Sequence, residues 1–597
     1  MPSSLECVAH VALAAASGLA WLGVGSLVLA PLGRTGDRAL DGLNRLGAGA
    51  VALALLTWTL GWLGLLYAEL FVPLLAAAAV FGVLELRRLR PFALPRAWPA
   101  WQLALLALIG LYVAIDLVVT CAPISSADAL LHHAAAPELF EQRHRVIETP
   151  WAWNSYQPYT VEMLVLDGFL VWDGVQGAFA PLLLLFAGTA ATALGAARLA
   201  GRTVGLLAAT IVLCQPFTTW VGTSTFVEPG LVLAVALALW NLVHFARTGW
   251  TPALVLTGVF AGAAAGMKYQ GVAAALLIAC SLVLVRDRLT VRSFALAALP
   301  ALAVALPWYV KNAILTGNPV YPLFFGGAND EADRLARASF EEYGHGTSLL
   351  DLVLLPFRLL GDAEAFDRGE FASPLPLLFA PLALLAPRGR RIVAVTLALC
   401  AAYGLAWFVG SQHARFLLPL LPPLAVLAAV GMVELARAGR LGRLATIAVT
   451  TGALASGLEI TLTYAGQFVP VVTGRESEEQ FLLDNTSYYA ATAWVNEHVP
   501  RDARVAVDHV FVYPFEPEAI VWSADVLESN AGENETRAFV RRFGITHAVV
   551  FANNRIRRRQ LDAVGARVIA RVQARPVVSR TLSELGPPEP MVVYELR

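Results

Sequence analysis

The chain has 597 residues, of which 57% are hydrophobic and 15% are charged, and its mean hydropathy is +0.63. Soluble domains carry about 25% charged residues, so this composition excludes a soluble globular protein for most of the chain. The formal net charge of -1 indicates no particular partner, and we predict no nucleic-acid partner.

Apolar runs long enough to cross a bilayer recur along most of the sequence, because about 17–25 residues cross the hydrocarbon core. We predict an α-helical polytopic membrane protein with about fourteen transmembrane helices. The predicted spans lie near residues 8–30, 46–66, 70–86, 100–120, 176–197, 203–220, 228–246, 251–267, 270–285, 293–309, 373–387, 392–409, 416–436 and 444–464.

Arginine is concentrated in alternate loops between these spans, and such loops normally remain on the cytoplasmic side. The loops 121–175 and 310–372, and the C-terminal tail, are therefore predicted to face outward. The basic loops hold Arg34, Arg38 and Arg45; Arg87, Arg88, Arg90 and Arg96; Arg198 and Arg202; Arg247; Arg286, Arg288 and Arg292; Arg388, Arg390 and Arg391; and Arg437, Arg440 and Arg443.

The five cysteines, Cys7, Cys121, Cys214, Cys280 and Cys400, are scattered, and no CxxC pair occurs among them. This distribution is typical of small buried hydrophobic residues. We therefore predict neither a disulfide framework nor a zinc site built from cysteine.

The tail from about residue 465 is polar enough to form a domain of its own. Helical patterns cover Tyr488–His498, Arg537–Phe543 and Arg555–Val564, and β-rich runs cover Arg504–Asp508 and Thr546–Ala552. Together they predict a small α/β domain.

The first outward segment carries the strongest candidate for catalysis. Ser125 or Ser126 could cap a helix that begins at Ala127, and this helix would place Asp128 in its first turn. His132 shares the face of Asp128 at a spacing of four residues, while His133 lies on the flank. A carboxylate beside histidines suits a general base, although a first-turn acid can also simply complement the helix dipole. Asp128 and His132 could also bind a metal, but two ligands without a third do not support such a site.

Two ionisable residues interrupt apolar stretches farther along the chain. Glu228 stands at the mouth of a span in TFVEP, and Lys268 occurs in GMKYQG next to Tyr269. Charged groups at membrane depth are costly and commonly functional, and a lysine there can hold a phosphate as a point charge. The alternative is that both residues are interfacial, with Glu228 snorkelling and Lys268 at a hairpin tip.

Further outward candidates follow in PWYVKNAILTGNPVYP and SQHARFLLP, namely Lys311, Tyr321, His413 and Arg415. Arginine offers phosphate oxygens a planar fork, although Arg415 could instead be an anchor on the outer side. No G-x-x-x-x-G-K-[ST] sequence occurs, which disfavours an ATP-driven pump within this chain.

These motifs resemble the GT-C superfamily of membrane glycosyltransferases, near the protein mannosyltransferase and aminoarabinose transferase branch. The resemblance rests on SADALLHHAAAPELF, TFVEP, GMKYQG, PWYVKNAILTGNPVYP and HARFLLP, over roughly residues 100–465. It predicts a GT-C-like unit at 99–465, additional N-terminal helices at 1–98 and an extracytoplasmic α/β domain at 466–597.

The resemblance implies transfer of a sugar from a polyprenyl-phosphate donor to a glycan, lipid or protein acceptor at the outer face of the cell membrane, usually with inversion. It implies Asp128 as the general base, Glu228 as a second acid where the family commonly has Asp, and Lys268 and Arg415 as ligands of the donor phosphate. The family pattern favours His133, whereas helix geometry favours His132. No D-x-D pair follows the fourth span, so we expect no cofactor and no metal dependence.

Two other functions are compatible with the sequence. A transporter or flippase of lipid-linked saccharides would place its site near the bilayer midplane, commonly between internal repeats, and no clear repeat occurs here. A non-catalytic assembly protein that displays the α/β tail is the third possibility.

Overall fold

A computed structural model of the chain describes residues 4–89, 98–362, 364–367, 372–486, 488–508, 513–573 and 590–596. Within these residues, eleven helices are long and apolar enough to cross a membrane. They are Leu5–Val28, Arg38–Trp62, Ala68–Leu89, Ala100–Thr120, Gly174–Ala200, Glu228–Thr248, Gln270–Arg288, Val291–Thr316, Arg390–Val409, Ala414–Arg437 and Arg440–Gly466.

The other three predicted spans are also helical, but each differs from a simple crossing. Arg202–Leu213 and Pro216–Thr223 form one pair with a bend of 61°, at a proline that cannot continue the preceding helix. Pro252–Ala265 and Leu375–Leu385 are shorter apolar segments. The prediction of a polytopic helical membrane protein is therefore confirmed, with eleven full-length helices and up to twelve if the bent pair is one span.

Shorter helices lie outside these spans, in the tail and in the two segments 121–175 and 310–372. These segments are called the first and second outward segments (or loops) after their predicted orientation. The shorter helices cover Ala129–His133, Ala135–Gln142, Thr160–Val171, Asp330–Glu341, Leu349–Gly361, Glu478–Asn485, Tyr489–His498, Glu533–Phe543 and Arg555–Ala563. Of the predicted basic loops, Arg90 and Arg96 lie outside the described residues.

Glycines allow the N-terminal helices to pack in close contact. A Cβ atom at Gly25 would lie 1.7 Å from the carbonyl oxygen of Arg45, and one at Gly82 would lie 1.9 Å from that of Leu19. Small residues permit this approach between membrane helices. These helices also contact the outward segment through Thr57, whose hydroxyl donates to a carboxylate oxygen of Asp167 at 2.7 Å.

Cys7 and Cys121 form a disulfide across 114 residues of sequence, with their Cα atoms 5.6 Å apart. The interpretation of all cysteines as isolated hydrophobic residues was therefore wrong for this pair. The reason is tertiary: the first helix packs beside the end of Ala100–Thr120, and sequence spacing does not show that. Cys214, Cys280 and Cys400 are free, as expected.

The tail contains a five-stranded sheet of order β2-β1-β3-β5-β4. The strands are β1 (Arg504–Val507), β2 (Glu518–Val521), β3 (His547–Phe551), β4 (Arg567–Val572) and β5 (Met591–Glu595). β1 runs parallel to β2 and β3, whereas β5 runs antiparallel to β3 and β4. The predicted small α/β domain is present, and its core consists mainly of strand residues.

The tail packs on the outward loops rather than standing apart from them. Trp151 of the first outward segment packs edge-on against Phe543 in the tail's core. Tyr321 of the second outward loop donates its hydroxyl to Asp525 at 3.2 Å. The two outward loops and the tail therefore form one continuous layer at one end of the helices.

Candidate functional site

A π-helical turn shapes the start of the first outward segment. The helix begins at Ala127, as predicted, and becomes π-helical over Ala129–His133. The wider π turn leaves both His132 and His133 close to Asp128, with the two imidazole rings 3.8 Å apart. The sequence left open which histidine accompanies Asp128, and the structure places both beside it.

Asp128 is not a simple capping residue in this turn. Its side chain makes no hydrogen bond to the first free backbone amides of the helix. Ser126, one of the two predicted caps, instead donates its hydroxyl to the carbonyl of Ser224 at 2.6 Å. The carboxylate of Asp128 is thus available for a tertiary contact.

That tertiary contact is an ion pair with Arg415. A guanidinium nitrogen of Arg415 lies 2.5 Å from a carboxylate oxygen of Asp128. The same guanidinium lies 3.0 Å from Asp367 in the second outward loop. Arg415 is at the start of its span and is 8% exposed, so one buried arginine joins two acids that are 239 positions apart in sequence.

Lys268 and Glu228 form a second buried ion pair close to the first. Their charged atoms are 3.1 Å apart, and their side chains are 6% and 0% exposed. Glu228 opens the helix Glu228–Thr248, where a carboxylate also complements the helix dipole. Lys268 lies in the short break between Pro252–Ala265 and Gln270–Ser281.

Aromatic rings bring the two ion pairs into one cluster. The ammonium of Lys268 lies 4.9 Å from the centre of the Phe416 ring, and the guanidinium carbon of Arg415 lies 5.6 Å from the same centre. The guanidinium carbon of Arg415 also lies 4.7 Å from the centre of the Phe226 ring. The structure therefore brings together four of the residues selected from sequence: Asp128, Glu228, Lys268 and Arg415.

Electrostatics fix the ionisation states in the outward turn. Burial alone would raise the pKa of the Asp128 carboxyl, but the positive charges of Arg415 and Lys268 outweigh burial and hold that pKa well below its usual value. Burial lowers the pKa of His132 to about 3. Asp128 is thus a carboxylate near neutral pH, and His132 is a neutral imidazole.

Lys311 and Tyr269 hold the backbone of the outward segment. Lys311 donates to the carbonyls of Ser155 and Gln157 at 3.0 and 3.3 Å. The Tyr269 hydroxyl lies 3.0 Å from the carbonyl of Tyr156 and 2.7 Å from that of Tyr321. These contacts fix the chain between the two outward loops, beside the ion-pair cluster.

His413 lies two positions before Arg415 in the turn that starts the next span. Its ring stacks on Phe416 at 4.7 Å and contacts Ser411 through Nδ1 at 2.7 Å. The indole of Trp407 donates to its backbone carbonyl at 2.7 Å. These contacts hold the turn that presents Arg415 to Asp128.

Sequence reasoning missed two acids of the site. Asp367 was not selected, because it lies in an acidic loop and its sequence context does not distinguish it from solvated charges. Glu162 was not selected either, although its carboxylate lies 2.8 Å from Nδ1 of His133. Asp367 has a positive φ of 53°, an uncommon backbone state that clusters at functional sites but leaves no mark in a single sequence.

The fold resembles that of solved membrane proteins. The chain matches no protein-family model and no curated protein. It is 13% identical to ArnT from Cupriavidus metallidurans bound to undecaprenyl phosphate, with a TM-score of 0.52 over 83% of this chain and 98% of that one. The apo structure of the same protein gives 14% identity and a TM-score of 0.52, over 82% and 98%.

The chain has the GT-C fold. The arabinofuranosyltransferase AftD from Mycobacteria gives 16% identity and a TM-score of 0.48, over 85% of this chain and 40% of that one. The fold assignment rests on the ArnT structures, which correspond to this chain over nearly their whole length. Within this GT-C fold, the ion-pair cluster lies where the outward segment meets the ends of the spans.

Proposed function

We propose that the chain is a membrane glycosyltransferase that moves a sugar from a polyprenyl-phosphate-linked donor to an acceptor. The observation that carries this proposal is the contact of Asp128 with Arg415 next to the Lys268–Glu228 pair. One carboxylate and two cations in one cluster supply both a base for the acceptor and ligands for an anionic leaving group. The fold shared with ArnT bound to undecaprenyl phosphate supports a lipid-phosphate donor.

In the proposed reaction, an acceptor hydroxyl attacks the anomeric carbon of the donor sugar while Asp128 takes the hydroxyl proton. The bond between the anomeric carbon and the phosphate oxygen breaks, and polyprenyl phosphate leaves with the electron pair. Arg415 and Lys268 stabilise the negative charge that develops on the phosphate. A single displacement of this kind inverts the anomeric configuration.

The ion pair in the structure indicates how the base becomes active. Arg415 keeps the carboxylate of Asp128 weakly basic, because it holds the pKa of that group low. A donor phosphate that binds Arg415 shares the positive charge and relieves this effect. We infer that Asp128 becomes an effective base only after the donor has bound, which limits unproductive proton transfer.

Loop charge supports an extracytoplasmic site in the cell membrane. Arginine-rich loops mark the cytoplasmic side, and the cluster lies with the outward segments at the other ends of the spans. A disulfide between Cys7 and Cys121 is consistent with that placement, because disulfides persist in oxidising compartments.

The test compares wild-type protein with Asp128→Asn and Asp330→Asn in membranes supplied with radiolabelled polyprenyl-phosphate pentoses and hexoses. Asp330 is an exposed acid in the second outward loop, so its variant controls for loss of an outward charge. We expect Asp128→Asn to lower transfer by about 100-fold or more, the range of general-base catalysis, and Asp330→Asn to leave it unchanged.

Two outcomes contradict the proposal in different ways. Undiminished transfer by Asp128→Asn removes Asp128 from the base role. Movement of the labelled lipid across vesicles, without any covalent product, favours the flippase function over the transferase.

A further inference from the structure

Beside the ion-pair cluster lies a set of side chains that the proposed reaction does not use. His132, His133 and Glu162 are 6%, 1% and 2% exposed. One donor atom from each residue lies within 4.8 Å of the others. Glu162 comes from the helix Thr160–Val171, so the set joins two separate parts of the outward segment.

Four polar atoms of this set are buried without a hydrogen-bond partner. They are Nδ1 and Nε2 of His132, Nε2 of His133 and one carboxylate oxygen of Glu162. Buried polar groups are nearly always paired, because an unpaired one costs about 1–3 kcal/mol. Four such atoms in one place indicate a ligand that binds among them.

The charges of the neighbourhood indicate a cation. Glu162 lies within electrostatic range of Lys268 and Glu228, and Arg415 contacts Asp128 and Asp367. Glu162 is also within electrostatic range of Lys311. With all acids ionised, four carboxylates therefore face three cations, and the neighbourhood keeps an excess of negative charge that a bound cation would offset. Uncompensated buried charge is costly, so such a cation would stabilise the site.

We propose that His132, His133 and Glu162 bind one divalent transition-metal cation, of which Zn²⁺ is the best match. Two imidazole nitrogens and one carboxylate oxygen form a ligand set common for Zn²⁺. Mg²⁺ and Ca²⁺ prefer sites built from oxygen alone. Ligands about 2.0–2.2 Å from the ion require the three donors to move closer than they stand here, which side-chain rotation can provide.

The π-helical turn explains why adjacent histidines can serve one ion. In an ordinary α-helix, neighbouring side chains diverge by about 100°, whereas the turn Ala129–His133 brings the His132 and His133 rings to 3.8 Å. Such turns frequently occur at functional sites. No third metal ligand could be recognised from the sequence alone. In the folded chain this ligand is Glu162, which lies 29 positions after His133.

A groove between the outward segment and the tail gives the ion a route from outside. The lining of this groove includes His132, Glu138, Trp151 and Glu518. Three protein ligands leave a coordination position for water or another oxygen ligand. In the proposed transferase, and resting on that proposal, the ion would also offset the negative charge that an incoming donor phosphate adds.

The experiment measures metal directly, in full-length protein purified in detergent without a histidine tag. After removal of metal with EDTA and addition of Zn²⁺, elemental analysis is expected to find about one Zn²⁺ per chain. A Co²⁺-loaded sample is expected to show the visible absorption of nitrogen and oxygen ligands. His133→Ala and Glu162→Gln are each expected to weaken Zn²⁺ binding by at least about tenfold.

Two variants control for nonspecific effects in the same segment. His144 contacts the carbonyl of Leu66, and Glu148 accepts from the hydroxyl of Tyr156. His144→Ala and Glu148→Gln are expected to bind Zn²⁺ as wild type does. Because Glu162→Gln could fail to fold, the thermal midpoint of the EDTA-treated wild type is measured as well, and Zn²⁺ but not Mg²⁺ is expected to raise it.

Substoichiometric Zn²⁺ in the wild type, or equal binding by the four variants, overturns the metal site. These readouts do not depend on sugar transfer. A protein that binds Zn²⁺ but transfers no sugar contradicts only the proposed function, and one that transfers sugar without binding Zn²⁺ contradicts only this inference.

Discussion

At the residue scale, Arg415 joins two acids of the site in one ion-pair network. Its planar guanidinium can bind two carboxylates at once, and it contacts Asp128 and Asp367 from separate parts of the chain. The contact with Asp367 is nearly buried and the contact with Asp128 is partly buried, and such charge pairs are screened less than pairs at the surface. Asp128 is consequently held in one position and in one ionisation state.

This arrangement predicts how stability depends on pH. The pKa of Asp128 is lower in the folded protein than its usual value, so the stabilisation is present above the usual pKa and is lost only as pH falls through the lowered one. We therefore expect the difference in thermal midpoint between wild type and Asp128→Asn to stay constant from pH 8 to pH 5. Thermal unfolding in detergent measures it, and a difference that shrinks between pH 6 and pH 5 contradicts the predicted direction.

At the element scale, the Lys268–Glu228 pair joins a helix break to a helix start. Removing one partner of a buried ion pair leaves an uncompensated charge and costs about 3–5 kcal/mol, whereas replacing both partners can be nearly neutral. The effect on stability of replacing either Lys268 or Glu228 therefore depends on whether the other residue is still present.

A double-mutant cycle tests this dependence. We expect Lys268→Met to lower stability strongly, and the double variant Lys268→Met with Glu228→Gln to recover most of the loss without recovering sugar transfer. Denaturation midpoints and transfer rates measure the two effects. Additive stability losses, with no recovery in the double variant, contradict a direct pairing in the folded protein.

At the scale of the whole molecule, the two ends of the helical bundle carry different loops. One side carries the arginine loops, and the other carries the two outward loops and the tail, which contact each other through Trp151, Phe543, Tyr321 and Asp525. The proposed function needs this second side to be extracytoplasmic, where lipid-linked sugars would meet their acceptors.

Cysteine labelling measures this orientation in intact cells. Asn530 is exposed in the tail, and Ala438 is exposed in an arginine loop. With Cys280 replaced by serine, we expect a membrane-impermeant maleimide to label Asn530→Cys in intact cells and Ala438→Cys only after permeabilisation. The reverse pattern contradicts the orientation and places the site on the cytoplasmic side.

The sequence by itself determined the membrane architecture. Apolar runs longer than the hydrocarbon core must become helices, because backbone groups in lipid have no other hydrogen-bond partners. The helical segments and the tail's helix Tyr489–His498 and strand His547–Phe551 follow their patterns closely. Glu228 and Lys268 were also selected from sequence, since charge at membrane depth is costly enough to be noticed. Asp128 was selected as an acid beside two histidines, and Arg415 as an arginine suited to phosphate.

Only the tertiary structure decided which of these groups meet. The contact of Arg415 with Asp367, the approach of Glu162 to His133 and the disulfide of Cys7 each join residues far apart in the chain. Such contacts depend on how the helices pack against each other, and the hydropathy of a sequence does not predict this packing. The π-helical turn that presents both His132 and His133 was equally hidden, because sequence periodicity assumes a regular helix.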